Sequence, residues 1–279
     1  MPGTLILCAT PIGNLGDAPP RLGEALTSAS VVYAEDTRRS RVLLRHLGVD
    51  RPLRSFFVGN EATRSEELAG RLQRGETVAL VTDAGTPAVA DPGFTAVRAA
   101  IEVGAEVTVV PGPSAVTAAL AVSGLPTDRF VFEGFLPRSG KERRSRLESL
   151  AVESRTTILF AAAGRLVDDL EDLTSALGES RPLVICRELT KAFEEVWRGT
   201  LAEAVEQWGP QPRRGEFTLV VAGVPPVEPD LEKAVAQVEA ELTGEERLSD
   251  VVRLVAERTG VPRRELYEAV HRRRGQADA

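Results

Sequence analysis

"VALVTDAGTPAVADPG", residues 78–93, decides how the rest of the chain is read. Four apolar residues, Val78 to Val81, stop at Thr82-Asp83, and a stretch rich in Gly and Pro follows before Phe94 opens a helical pattern. A short apolar run, a turn and then a helix make up half of a βαβ unit. The same order recurs on both sides. TLILCA, VVYA, LRSFFV and EVTVV read as further strands, with helical patterns over 21–29, 37–47, 62–73 and 94–102. This alternation predicts an α/β fold on a largely parallel sheet, with a ligand outside the carboxyl ends of its strands.

Three of those strand ends share one composition. Thr10-Pro11-Ile12-Gly13-Asn14-Leu15-Gly16-Asp17, Thr82-Asp83-Ala84-Gly85-Thr86-Pro87 and Pro111-Gly112-Pro113-Ser114 are each a turn followed by a helix. Gly permits close backbone approach and Pro stiffens the turn, so free N–H and C=O groups line one edge as a ligand shelf. Taken singly, each is also an ordinary βα turn. No GxxxxGK[ST] is present, and Gly13-Asn14-Leu15-Gly16 lacks the third glycine of the dinucleotide fingerprint. A ligand held by carbonyls and a carboxylate is cationic or zwitterionic, which suits S-adenosylmethionine better than a dinucleotide.

Beyond Ala121 the turn-forming VSGLPTD marks a boundary. FVFEGFLP, TTILFA, PLVICREL, EEVWRG and FTLVVAG then supply a second set of strands, and Thr200 to Glu203 fits a capping box. The predicted domains are 1–122 and 123–224, an acidic linker over 225–244, and a helical basic module over 245–279. In that module Leu248, Val251, Val252, Leu254 and Val255 fall on one helical side, Gly260 is a stop and Pro262 a start, in the manner of a helix-turn-helix.

A chain of 279 residues, 43% of them hydrophobic, suffices for two packed cores. Cys8 and Cys186 sit inside apolar runs and read as core residues of a protein in a reducing cytoplasm. No apolar window has the length of a membrane span. The net charge of −7 disfavours nucleic-acid binding over the whole surface, yet the charge is segregated. RSGKERRSR at 138–146 and PRRELYEAVHRRR at 262–274 are strongly basic, and 225–247 is acidic. The histidines, His46 and His271, lie far apart in helical, charged surroundings, so neither a metal centre nor a Ser-His-Asp triad is expected.

TPIGNLGD at 10–17, AEDTR at 34–38, DAGTP at 83–87, DPG at 91–93, PGPSA at 111–115, GLPTDRFVFEGFLP at 124–137 and RELTK at 187–191 occur in one order over nearly the whole chain. Together they resemble the ribosomal RNA small subunit methyltransferase I family. The resemblance implies a two-domain tetrapyrrole methylase-like fold with a C-terminal helix-turn-helix-like module. It further implies S-adenosylmethionine in the cleft between the domains, a homodimer, and methylation of a cytidine ribose 2′-oxygen in the decoding region of 16S rRNA, free or in the small ribosomal subunit.

By that resemblance the donor site comprises Pro11, Gly13, Asp83, Gly85, Thr86, Pro87, Pro111, Gly112 and Ser114, closed from the second domain by Gly134, Leu136 and Pro137. Asp36 is the expected base, beside Glu35, with Arg38 as a clamp; capping of the next helix is the other role open to Asp36. Asn60, Glu61, Glu188 and Lys191 are expected toward the acceptor. RNA phosphates are assigned to Arg138, Lys141, Arg143 and Arg144, and to Arg263, Arg264, Arg272, Arg273 and Arg274. Solvated charge is the competing account of both basic runs.

Two stretches depart from the family pattern. Phe56-Phe57-Val58-Gly59 replaces a His-rich stretch, and Ala161-Ala162-Ala163-Gly164-Arg165 replaces Tyr-Glu-Ser-Pro-His-Arg, so the roles of those groups are not carried over. A small-molecule or tetrapyrrole methyltransferase and a non-catalytic RNA-binding protein are the rival readings. A nicotinamide or flavin oxidoreductase lacks its glycine pattern.

Overall fold

The computed structural model describes residues 1–209, 214–225, 230–242 and 247–277. Two compact units divide the chain, Met1–Val224 and Pro225–Ala279.

The first unit holds two sheets. Its first lobe runs β1 (Thr4–Cys8), α1 (Pro20–Ser28), β2 (Val31–Ala34), α2 (Thr37–His46), β3 (Leu53–Ser55), α3 (Glu61–Gln73), β4 (Val78–Val81), α4 (Phe94–Glu102) and β5 (Glu106–Val110). The strand order is β3-β2-β4-β1-β5, and every pairing is parallel. β4 is central and all four of its residues are buried, which is why it reads as an unbroken apolar run. Parallel pairing brings the carboxyl ends of β1, β2, β4 and β5 to one edge, where the three Gly-Pro turns lie. Two of these turns pair directly. Thr10 N–H donates to the Gly85 carbonyl at 2.8 Å and Gly85 N–H to the Thr10 carbonyl at 3.2 Å. Gly85 has φ +81, a conformation that a side chain disfavours.

The second lobe contains α5 (Ala115–Ser123), β6 (Phe130–Phe135), α6 (Gly140–Ala151), β7 (Thr156–Ala162), α7 (Leu166–Leu177), β8 (Pro182–Arg187), β9 (Glu195–Thr200), α8 (Leu201–Trp208) and β10 (Glu216–Val221). Its sheet, β6-β7-β10-β8-β9, is mixed: β6 and β7 are parallel and the other pairs antiparallel. The expectation of largely parallel strands therefore holds for the first lobe only. The link between β8 and β9, residues 188–194, is too short for a helical crossover and forces a hairpin. Val116, Ala119 and Leu120 of α5 pack on Ile158, Val184, Cys186 and Val220, so the helix that follows the first sheet is built into the core of the second. The capping box forms as expected: Thr200 N–H donates to Glu203 Oε2 at 2.8 Å and Glu203 N–H to Thr200 Oγ1 at 3.3 Å.

Other expectations are corrected. β3 stops at Ser55 because Phe57 N–H turns to Asn60 Oδ1, leaving Phe57 and Val58 exposed. Residues 225–244, expected as a linker, hold α9 (Leu231–Glu241), whose Ala234, Val235 and Val238 are buried; acidic composition concealed the i, i+1, i+4 apolar stripe. Residues 226–229 and 243–244 of that stretch, and 245–246 and 278–279 of the module expected after it, lie outside the described residues.

In the second unit α9 packs with α10 (Leu248–Thr259) and α11 (Arg263–Ala277) around Val252, Val255, Val261, Leu266 and Val270. Gly260 ends α10 in the left-handed conformation, φ +71. Leu254 points to solvent instead of joining the apolar side.

Candidate active site

At the common edge of the two lobes lies a cleft of about 450 Å³. Ile12, Glu35, Asp83, Gly85, Thr86, Asp91 and Ser114 line it from the first lobe's strand ends and the start of α5. Phe135, Phe160, Cys186, Leu189, Glu216 and Phe217 line it from the second. A smaller cavity of about 210 Å³ adjoins it and shares Ile12, Arg39, Asp83, Ala84 and Glu216. Thr10, Pro11, Gly13, Leu15, Ser40, Val42, Leu43, Thr82 and Lys191 complete its wall.

Carboxylates dominate the larger cleft. Glu35 follows β2, and its Oε2 accepts the Asp83 backbone N–H at 3.4 Å. Asp83 follows β4; its Oδ1 accepts the Asp36 backbone N–H at 3.0 Å and its Oδ2 lies 3.3 Å from Arg39 Nη1. Burial, assisted by the nearby charge of Asp83, raises the Glu35 carboxyl above its ordinary range. Asp91 is pushed up to about 7, first by burial and then by the charges of Glu35, Asp83 and Glu216. Four carboxyl groups, Glu35, Asp83, Asp91 and Glu216, against one arginine, Arg39, make the cleft receptive to a cation, and Phe135 and Phe160, 5.6 Å apart, supply an apolar wall.

The turns around the cavities are strained. Among the described residues, Ala88, Ala90, Glu188 and Thr190 are the non-glycine residues with positive φ, at 68, 60, 51 and 67°. Such conformations persist where surrounding contacts over-determine them. Glu61 supplies one such contact: its Oε1 accepts the Gly93 N–H at 2.9 Å, anchoring the DPG turn that carries Asp91. In the RELTK turn, Lys191 Nζ lies 2.8 Å from Glu188 Oε1 and 3.0 Å from Glu216 Oε2. A Cβ on Gly13 would sit 2.4 Å from Lys191 Cγ and 3.0 Å from the Leu189 carbonyl oxygen, so only glycine lets the first-lobe loop meet this turn without a shift.

The expected residues thus separate into groups. Asp83, Gly85, Thr86, Ser114 and Glu35 line the larger cleft, and Pro11, Gly13 and Lys191 the smaller cavity. Pro87, Pro111 and Gly112 line neither; a Cβ on Gly112 would meet Pro19 Cγ at 2.8 Å, so that glycine serves loop packing. From the GFLP turn Phe135 reaches the cleft, whereas Gly134, Leu136 and Pro137 do not: Leu136 joins the second lobe's core and the Pro137 carbonyl accepts from Arg143.

Asp36 is a helix cap and not a cleft carboxylate. Its Oδ1 accepts the Arg38 N–H at 2.8 Å and its Oδ2 lies 2.7 Å from Arg38 Nη2, so both acceptor and clamp are committed to each other. The Arg38 hydrogen bonds hold this carboxyl well below the usual range, the wrong direction for a base. Asn60 and Glu61 likewise brace loops behind the cleft. Glu188 is absent from both linings and holds Lys191 and the Glu216 N–H.

Arg143 is buried, with ion pairs to Asp169 at 2.8 Å and Asp172 at 2.6 Å, and does not face solvent as an RNA contact requires. Arg138, Lys141 and Arg144 are exposed, as are Arg263, Arg264, Arg272, Arg273 and Arg274. Asp91, Arg39, Glu216 and Phe160 are among the lining residues that the sequence did not assign to the site, whereas Phe135 lies within the GFLP turn expected to close it. For Asp91, the DPG turn so close to DAGTP was the available signal.

The fold and cleft define a tetrapyrrole methylase: residues 4–205 match the family described as Tetrapyrrole (Corrin/Porphyrin) Methylases, and 229–274 match the RsmI C-terminal HTH domain. A uroporphyrin-III C-methyltransferase from Thermus thermophilus is similar in fold, with TM-score 0.57 and 21% identity over 79% of this chain and 94% of that one. Ribosomal RNA small subunit methyltransferase I from Xylella fastidiosa is 47% identical over 95% of this chain and 98% of its own length. The protein of that name from Synechocystis is 45% identical over 95% and 96%. The chain belongs to the ribosomal RNA small subunit methyltransferase I family.

Proposed function

We propose that this protein transfers a methyl group from S-adenosylmethionine to the ribose 2′-oxygen of a cytidine in the decoding region of 16S rRNA. The observation that carries the reading is the cation-receptive cleft: Glu35, Asp83 and Asp91 converge beside aromatic rings, with no phosphate loop. Its volume falls in the range of small-ligand sites, ~300–1,000 Å³. These residues fit S-adenosylmethionine, which supplies a methyl group on a positively charged sulfur. Glu35 and Asp91 hold the cationic parts of the donor, Thr86, Ser114 and the turn backbone its polar groups, and Phe135 and Phe160 its apolar surface.

Asp83 stands where the two cavities meet, and we assign it the acceptor hydroxyl proton. A positioned base contributes roughly 10²- to 10⁴-fold, and alignment of the reacting groups about 7–11 kcal/mol. Lys191 and Arg39 orient the acceptor from the smaller cavity. Arg138, Lys141 and Arg144, with Arg263, Arg264, Arg272, Arg273 and Arg274, bind RNA phosphates, which position the strand without reading sequence. A homodimer is the assembly we infer from the family resemblance. The exposed edge of β5, including Val109, offers a surface that a second copy would cover. Among the described residues no helix is long and apolar enough to cross a membrane, in keeping with work in the cytoplasm on the small subunit or its RNA.

The test is transfer of labelled methyl to small ribosomal subunits lacking the modification, followed by mapping of alkali-resistant ribose linkages. One resistant linkage at a decoding-region cytidine supports the reading. Transfer to a tetrapyrrole that survives removal of 225–279 would replace it with the small-molecule reading. Donor binding without product would favour the non-catalytic one.

A further inference from the structure

The residues of α2 that wall the smaller cavity, Arg39, Ser40, Val42 and Leu43, belong to a helix of unusual charge. Its sequence, TRRSRVLLRH, contains Arg38, Arg39, Arg41, Arg45 and His46 and no acid, in a chain of net charge −7. All five basic side chains are exposed, while Ser40, Leu43 and Leu44 face the core. Arg38 and Arg39 are matched by Asp36 and Asp83; Arg41 and Arg45 have no carboxylate partner among the described residues.

Helix stability explains only part of this pattern. Cations in the last turn, Arg45 and His46, complement the helix dipole, but Arg38 and Arg39 sit in the first turn, where positive charge opposes it. Ion pairs offset that cost for Arg38 and Arg39, which leaves Arg41 as the basic side chain of the helix with neither a carboxylate partner nor a dipole role among the described residues. Positions 38, 41 and 45 follow one face, and 39 leads from it into the cavity.

We propose that α2 is the track for the phosphates of the acceptor strand, delivering the target ribose into the smaller cavity beside Asp83. Exposed arginines in a row, of which Arg41 and Arg45 lack carboxylate partners among the described residues, attract a polyanion, and the continuity of the helix with the cavity wall through Arg39 selects the RNA strand as occupant. The basic runs at 138–146 and 262–274 then supply additional grip, and α2 supplies the grip next to the reacting sugar. This inference rests on the RNA-methylation reading.

The experiment compares the full chain with the variant Arg41→Gln/Arg45→Gln, neither residue of which lines a cavity. Binding of a synthetic single-stranded oligoribonucleotide is measured against salt, and S-adenosylmethionine binding is measured in parallel as a control on folding. The variant is expected to keep donor affinity and to bind RNA more weakly, with the slope of log K against log salt reduced by roughly 1.4, about 0.7 for each phosphate contact removed. RNA affinity and slope equal to the parent's would overturn the track while leaving the proposed activity standing. Unchanged RNA binding with weakened binding of whole small subunits would assign α2 to a protein partner and overturn it too. A parent chain that binds donor but neither the oligoribonucleotide nor whole small ribosomal subunits would remove both readings.

Discussion

Asp83 Oδ2 and Arg39 Nη1 lie 3.3 Å apart at the seam of the two cavities, while the other Asp83 oxygen accepts the Asp36 backbone N–H at 3.0 Å. The carboxylate is thereby fixed at the end of β4 by a group that begins α2. On one side of it stand Glu35 and Asp91, and on the other Lys191 and the basic helix. Under the proposed function, a cationic donor and an anionic acceptor would be sorted to opposite sides of one residue.

Asp83→Asn should therefore lower the rate of methyl transfer by roughly 10²- to 10⁴-fold, the range for loss of a positioned base. Donor affinity, measured by calorimetry, should change far less. Equal losses in both would reassign Asp83 to donor binding.

Asp91 gives a pH signature. With its carboxyl at about 7 in the folded chain, against about 3.9 for an ordinary Asp, the folded state retains a proton that the unfolded state has already released between those values. Stability should fall as pH rises through that window. Asp91→Asn should be more stable than the parent at about pH 8 and nearly equal to it at about pH 4, as read by thermal unfolding. The affinity of the parent for S-adenosylmethionine should run the opposite way, increasing through about pH 7 with release of a proton. A pH-independent affinity would count against contact between Asp91 and the donor.

Neighbouring arginines on α6 should behave differently. Arg143→Ala strands Asp169, a buried carboxylate, and should cost about 3–5 kcal/mol in denaturant unfolding. Arg144→Ala, at an exposed site, should stay within about 0.5 kcal/mol and reduce RNA affinity instead.

Asp36→Asn retains a side-chain acceptor for the Arg38 N–H and should leave the transfer rate unchanged. A rate loss of the size expected for Asp83 would restore Asp36 as the base.

The first lobe was legible because buried parallel strands are short apolar runs separated by amphipathic helices, and the three Gly-Pro turns stand where those runs end. The pairing of β7, β10, β8 and β9 was not, since a strand's partner leaves no local mark. Asp36 before Thr-Arg-Arg satisfies the pattern of a cap and of a cleft acid equally; the direction of its side chain is a tertiary fact. Arg143 was more readable than it looked. With Leu147 and Leu150 it keeps the i, i+4, i+7 spacing of the buried face, a signal hidden inside a basic run. The charge of α2 was equally visible, but in an Arg-rich chain the clusters at 138–146 and 262–274 drew the assignment.

The contact between Gly13 and the RELTK turn bears on when the protein becomes competent during its own synthesis. The loop after the first strand finds its counterpart only once residues 187–191 exist, and Glu216, which holds Lys191, comes later still. A nascent chain that ends short of β10 carries every first-lobe turn and still possesses neither finished cavity. Incomplete polypeptides thus lack the cleft wall that Glu216, Phe217 and Thr218 supply.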